Sequence, residues 1–116
     1  MDKYANATLK TLEPELREVS RAVSTRYPNS QTILFGSFAR GEQHEDSDLD
    51  FCVLLPEITG NSRDVLVSLR GIISDVIPGM PIDVVSYTYH KFDGYAQSKS
   101  SMAADIKDEG VYLNEL

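Results

Sequence analysis

A chain of 116 residues, 41% apolar and 25% charged, has the size and balance of one globular domain that needs no covalent staple. Its single cysteine excludes an internal disulfide, and one cysteine with two histidines offers no zinc-ligand spacing. The net charge of −7 gives no sign of the basic face that long nucleic acid requires, so the acidic excess suits solubility or a basic protein partner.

In chain order, Met1-Asp2-Lys3-Tyr4 runs into polar sequence, so no signal peptide is expected. No stretch nears the roughly 18 apolar residues of a membrane helix, so a cytoplasmic protein with no membrane contact is expected. Pro14 sits where a helix opens, its missing N–H costing nothing in the first turn. Leu16, Val19, Ala22 and Val23 give that helix one apolar face to about Arg26, and Tyr27-Pro28-Asn29 closes it. Gln31 to Phe35 is a short strand stopped by Gly36, with a helix start at Phe38 to Arg40. Leu49 to Leu55 is a second strand, ended by Pro56, in which Cys52 reads as a small buried hydrophobe. Val65, Leu66, Leu69, Ile72, Ile73 and Val76 then recur at helical spacing until Pro78-Gly79.

Ile82 to Tyr87, β-branched and aromatic, is a third strand. A weaker helix is expected over Gln97 to Asp108, with Val111 to Leu113 as an edge strand. Phe92 and Tyr95 fit either a partner surface or packing beneath that last helix. No repeat, low-complexity tract or linker divides residues 1–116. The order of elements describes a single α/β (α+β) domain, one small sheet covered by helices.

The chemistry gathers in Gly36-Ser37-Phe38-Ala39-Arg40-Gly41 and Ser47-Asp48-Leu49-Asp50. Asp48 and Asp50 are two apart at the start of a strand, so both carboxylates project from one face. Asp83 holds a similar place at the start of the third strand, within Pro81-Ile82-Asp83-Val84-Val85, where an unpaired buried carboxylate would be costly. If the two strands are neighbours, three carboxylates converge. Two such charges at ~4 Å repel by about 4 kcal/mol at an effective dielectric near 20. Three together call for a cation, and hard oxygen ligands suit Mg²⁺ or Mn²⁺. Gly36 lets a phosphate approach the backbone closely, Ser37 adds a hydroxyl donor, and Arg40 adds a planar cationic fork. A phosphate cradle beside an acidic metal patch is what phosphoryl transfer requires. His44, in a polar loop, reads as solvated.

At these residues the sequence resembles the minimal nucleotidyltransferases of the DNA polymerase beta-like superfamily. Their signature is Gly-Ser, ten residues, then Asp-x-Asp, matched here by Gly36-Ser37 and Asp48-Leu49-Asp50, with Asp83 as the third carboxylate. The closing Glu109-Gly110-Val111-Tyr112-Leu113 is similar to the end of those domains. The resemblance implies a small mixed sheet flanked by helices. It also implies two Mg²⁺ ions, or Mn²⁺, with Asp48 and Asp50 binding both and Asp83 joining at one. Gly36 and Ser37, with Arg40, would hold the β- and γ-phosphates of ATP.

Relatives of this size are frequently antitoxins paired with a HEPN-domain ribonuclease toxin. The resemblance therefore implies AMP transfer to a tyrosine of such a toxin, in a toxin–antitoxin hetero-oligomer. Two alternatives stay open at this point: an enzyme acting on a small molecule or RNA end, and an antitoxin that acts by binding alone. Acceptor, base preference and oligomeric state are not legible in these residues.

Overall fold

The computed structural model describes residue 4 and residues 6–116. Helix α1 (Glu13–Arg26) starts with Pro14 in its first turn, with Glu13 and Glu15 at the positive end of its dipole and Arg26 at the negative end. It buries Leu16, Val19, Ser20 and Val23. Strand β1 (Gln31–Phe35) leads into a single turn of helix, α2 (Ser37–Arg40), one residue earlier than the sequence indicates. Strand β2 (Leu49–Leu55) returns antiparallel to β1, with Ile33 opposite Cys52. Helix α3 (Ser62–Val76) opens on Asn61, whose side chain accepts from the Arg63 amide, and crosses to β3 (Ile82–Thr88). Strand β3 runs parallel to β2. Helices α4 (Tyr89–Ala96) and α5 (Met102–Glu109) precede β4 (Val111–Tyr112), antiparallel to β1, and a final 3₁₀ turn, Leu113–Glu115.

The four strands lie in the order β3-β2-β1-β4, a mixed sheet with β4 at the edge as its pattern indicates. Alternation along the strands divides the sheet into two faces. Leu34, Phe51, Val53 and Val84 join Leu16, Val19, Leu69 and Ile73 in the larger core, beneath α1 and α3. Ile33, Cys52 and Leu54 join Phe92, Ala103 and Ile106 in a smaller core, beneath α4 and α5. Each fully buried Leu, Ile or Phe contributes about 1.5–3 kcal/mol, so the larger cluster dominates cohesion.

The helix expected over Gln97 to Asp108 is corrected by the structure. Residues 97–101 form turns, with the Ser98 amide donating to Tyr95 O and the Ser101 amide to Ser98 O. The run Ser98-Lys99-Ser100-Ser101 supplies hydroxyls that compete for backbone groups, and Ser101 becomes the α5 cap by accepting from Ala104 N at 3.1 Å. Helix α4 was not legible in the sequence. It is short, contains Gly94, and gains its stability from tertiary contact through buried Phe92. Phe92 thus packs in the core, whereas Tyr95 is 53% exposed. Among the described residues, no helix is long and apolar enough to cross a membrane.

Candidate active site

The end of β1, the start of β2 and the start of β3 meet at one end of the sheet. Register does the placing: Phe35 lies opposite Asp50 across the antiparallel pair, and Asp50 lies opposite Asp83 across the parallel pair. Asp50 shares its face with Cys52 and Asp83 with Val85, so both carboxylates rise from the α4/α5 side. Asp48 stands just outside the strand, one residue before Leu49, and is exposed. Its neighbour Leu49 is fully buried and donates its amide to Pro81 O at 3.0 Å, which locks the two strand starts together.

Gly36 is the hinge of the site. Its φ of 78° and ψ of −157° lie in a region that side chains other than glycine essentially never adopt. A Cβ added there would land on Asp50 Oδ2. The glycine is therefore required twice, for its backbone and for the carboxylate that fills the space of its missing side chain. Ser37 follows as the first residue of α2, half-buried.

Asp50 is half-buried, and its pKa is raised above the ordinary 3.8. Burial is the largest cause, followed by repulsion from Asp83 and then Asp48, with Arg40 acting in the opposite direction. The three carboxylates thus share one electrostatic neighbourhood. They are not drawn into a closed cage: among the described residues, no group of three or more His, Cys, Asp or Glu side chains is gathered tightly enough to hold a metal ion. The donor chemistry nevertheless fits a hard divalent cation. All the donors are carboxylate oxygens, and the burial and mutual repulsion that raise the Asp50 pKa are what a cation would offset.

Two sequence expectations are corrected. Asp83 is not a buried charge in an apolar strand; its side chain is 60% exposed. It accepts from the Val84 amide at 3.1 Å and lies 3.9 Å from Arg70 Nη2 of α3. Arg40 is not a free fork. Its Nη1 donates to Glu109 Oε1 at 3.0 Å and its Nε to Glu42 Oε1 at 3.2 Å, and the Glu109 hydrogen bond is the main reason its pKa is raised. Glu109 Oε1 also accepts from the Gly36 amide at 3.3 Å. Glu109 and Arg70 are the residues at this end of the sheet that sequence spacing did not single out, since both arrive from elements distant in the chain. His44 is exposed and engaged within its own loop, its Nδ1 accepting from the Asp46 amide at 3.2 Å.

A cavity of about 610 Å³ lies among Tyr4, Phe38, the loop of residues 43–47 and Met80-Pro81, and a smaller one of about 430 Å³ beside Arg40 and Leu9. Neither is lined by Asp48, Asp50 or Asp83. At this end of the sheet Asp48 and Asp83 are exposed and Asp50 is half-buried.

Residues 16–113 match the family described as Nucleotidyltransferase domain. Two proteins of Methanocaldococcus jannaschii, each provisionally named a protein adenylyltransferase, are 30% identical over 79 residues, which cover 68% of this chain and 78% of each relative. Among solved structures, a provisionally assigned minimal nucleotidyltransferase aligns with a TM-score of 0.64 at 25% identity, over 91% of this chain and 96% of that one. A crystal structure of a toxin–antitoxin with AMP-PNP aligns with a TM-score of 0.59 at 21% identity, over 84% of this chain and 71% of that one. A provisionally assigned nucleotidyltransferase from Sulfolobus solfataricus gives 0.55 at 20% identity, over 87% and 78%. The last two likenesses show a shared fold.

Proposed function

The chain belongs to the nucleotidyltransferase domain family, and on that premise we propose that it transfers AMP from ATP to a hydroxyl of a partner protein. One observation carries this reading: Gly36, whose missing side chain leaves room for the Asp50 carboxylate, stands directly beside the Asp50–Asp83 strand pair. A glycine turn and paired acids thereby share one end of the sheet.

In this reading Asp48, Asp50 and Asp83 would hold two Mg²⁺ ions, or Mn²⁺, which would supply charge stabilisation to the entering and departing oxygens of an in-line displacement. Gly36 and Ser37 hold the β- and γ-phosphates, with Arg40 beside them as a charged donor. The acceptor oxygen forms a bond to the α-phosphorus as the α–β bridging bond breaks, and pyrophosphate departs. In this reading Asp83, whose side chain is exposed, takes the acceptor's proton.

A protein acceptor is favoured over a small molecule by the exposure of the acidic side chains. Small acceptors are usually enclosed in a cleft, whereas Asp48 and Asp83 stand exposed. The provisional names of the 30%-identical relatives point the same way. The partner we propose is a HEPN-domain ribonuclease toxin modified on a tyrosine. The family resemblance supports this, as does the shared fold with a toxin–antitoxin crystallised with AMP-PNP.

The test is incubation of the purified protein with labelled ATP and Mg²⁺, alone and with the candidate toxin, followed by intact mass on both chains. AMP is expected on the toxin and absent when Asp48→Ala and Asp50→Ala are combined. Modification of a small molecule or RNA end without a partner would replace the protein acceptor. An unmodified toxin, still neutralised by the double variant, would leave binding alone as the function.

A further inference from the structure

Glu109 is the last residue of α5, and the chain on its far side is held firmly. The Gly110 amide donates to Ile106 O at 2.8 Å, and a side chain at position 110 would strike both that carbonyl and Ile33. One residue later, Val111 pairs with Leu34 of β1. The carboxylate is consequently delivered to the Gly36 turn from a fixed backbone, and it is 26% exposed.

A single oxygen of Glu109 bridges two donors of that turn, the Gly36 amide at 3.3 Å and Arg40 Nη1 at 3.0 Å. Glu42 takes Arg40 Nε at 3.2 Å. Among the described residues the remaining guanidinium nitrogen, Nη2, has no partner. Arginine has many rotamers, and a guanidinium held along one side binds an oxyanion with less entropy left to lose.

We infer that Glu109 is a positioning residue for nucleotide binding: it clamps the Gly36 amide and Arg40 together so that Arg40 Nη2 faces the triphosphate. This role rests on the proposed cradle of Gly36, Ser37 and Arg40. In the opposite arrangement Glu109 is an internal anion whose side chain must swing away before a phosphate can enter. The two arrangements predict opposite signs.

The experiment compares the parent with E109A, E109Q and E109D. It measures Mg·AMP-PNP binding by calorimetry and, without nucleotide, the exchange of the Gly36 amide by NMR. E109A is expected to weaken binding roughly tenfold, about 1.4 kcal/mol. E109Q, whose amide oxygen still accepts from both donors, should stay within about twofold of the parent. E109D keeps the charge but retracts the carboxylate by one methylene, so it should behave as E109A does. In a transfer assay the defect should appear as a raised KM for ATP more than a lowered kcat. Gly36 exchange should quicken in E109A and E109D and stay slow in E109Q.

Tighter binding by E109A would establish the internal-anion arrangement and overturn the clamp. Unchanged binding in E109A and E109D, or unchanged Gly36 exchange, would overturn it as well. A parent that fails to bind Mg·AMP-PNP would sink the cradle itself. The exchange rates would then still show separately whether Glu109 holds the Gly36 turn.

Discussion

Replacing Gly36 with alanine tests whether the site is built around one missing side chain. Two costs are separable. An alanine in this backbone region is strained by about 1–3 kcal/mol whatever surrounds it. Its Cβ would also occupy the place of Asp50 Oδ2, so the carboxylate must leave its position beside the Gly36 turn. In a domain of this size about 1 kcal/mol corresponds to roughly 4 °C in Tm, which places the expected loss at about 4–12 °C. Displacing a reacting group by about an ångström costs on the order of 100-fold in rate, so AMP transfer should fall by at least that much.

Gly41→Ala supplies the control. Its φ is also positive, 72°, but nothing lies within 4 Å of the added Cβ. It should lose about 1–2 kcal/mol through left-handed strain alone and keep most of its transfer activity. Thermal unfolding by circular dichroism and transfer from labelled ATP read the two quantities. Equal losses of activity in the two variants, or a Gly36→Ala protein with parental turnover, would refute the account of Gly36 as a seat for Asp50.

Asp50 binds its proton more tightly when folded than when unfolded, so its stabilising contribution is full below about pH 4 and is lost as pH rises through the folded pKa. At neutral pH without divalent metal, D50N should therefore melt above the parent, and added Mg²⁺ should raise Tm in the parent only; a lower-melting D50N contradicts this. Cys52 is fully buried with its pKa pushed up to about 12, so a thiol reagent at pH 8 should label it only after unfolding, and rapid native labelling would count against the core assignment. Asn114 accepts from the buried Thr32 amide at 2.9 Å, and Asn114→Ala should cost about 1–3 kcal/mol by chemical denaturation because that donor is left unpaired. A loss below about 0.5 kcal/mol would mean that water replaces the side chain.

The sequence by itself determined what depends on local pattern and short spacing. Period-two and helical apolar repeats placed α1, β1, β2, α3 and β3 to within a residue or a few, because each element buries one continuous face of its own. Gly36-Ser37 and Asp48-x-Asp50 were legible for a related reason: they sit at the ends of strands, where spacing alone sets direction. Helix α4 went unread, and α5 was started too early at Gln97, because α4 has little amphipathic pattern and is held by Phe92 in a core built from distant strands.

Only the tertiary structure decided who meets whom. The parallel register of β2 and β3 set Asp83 opposite Asp50, and the α3 crossover brought Arg70 toward Asp83. The return of β4 to β1 carried Glu109 back across the chain to Gly36 and Arg40. A lone glutamate near the C-terminus and a lone arginine on a surface helix carry no periodic signal. Their partners are fixed by sheet order and register, which are properties of the whole chain.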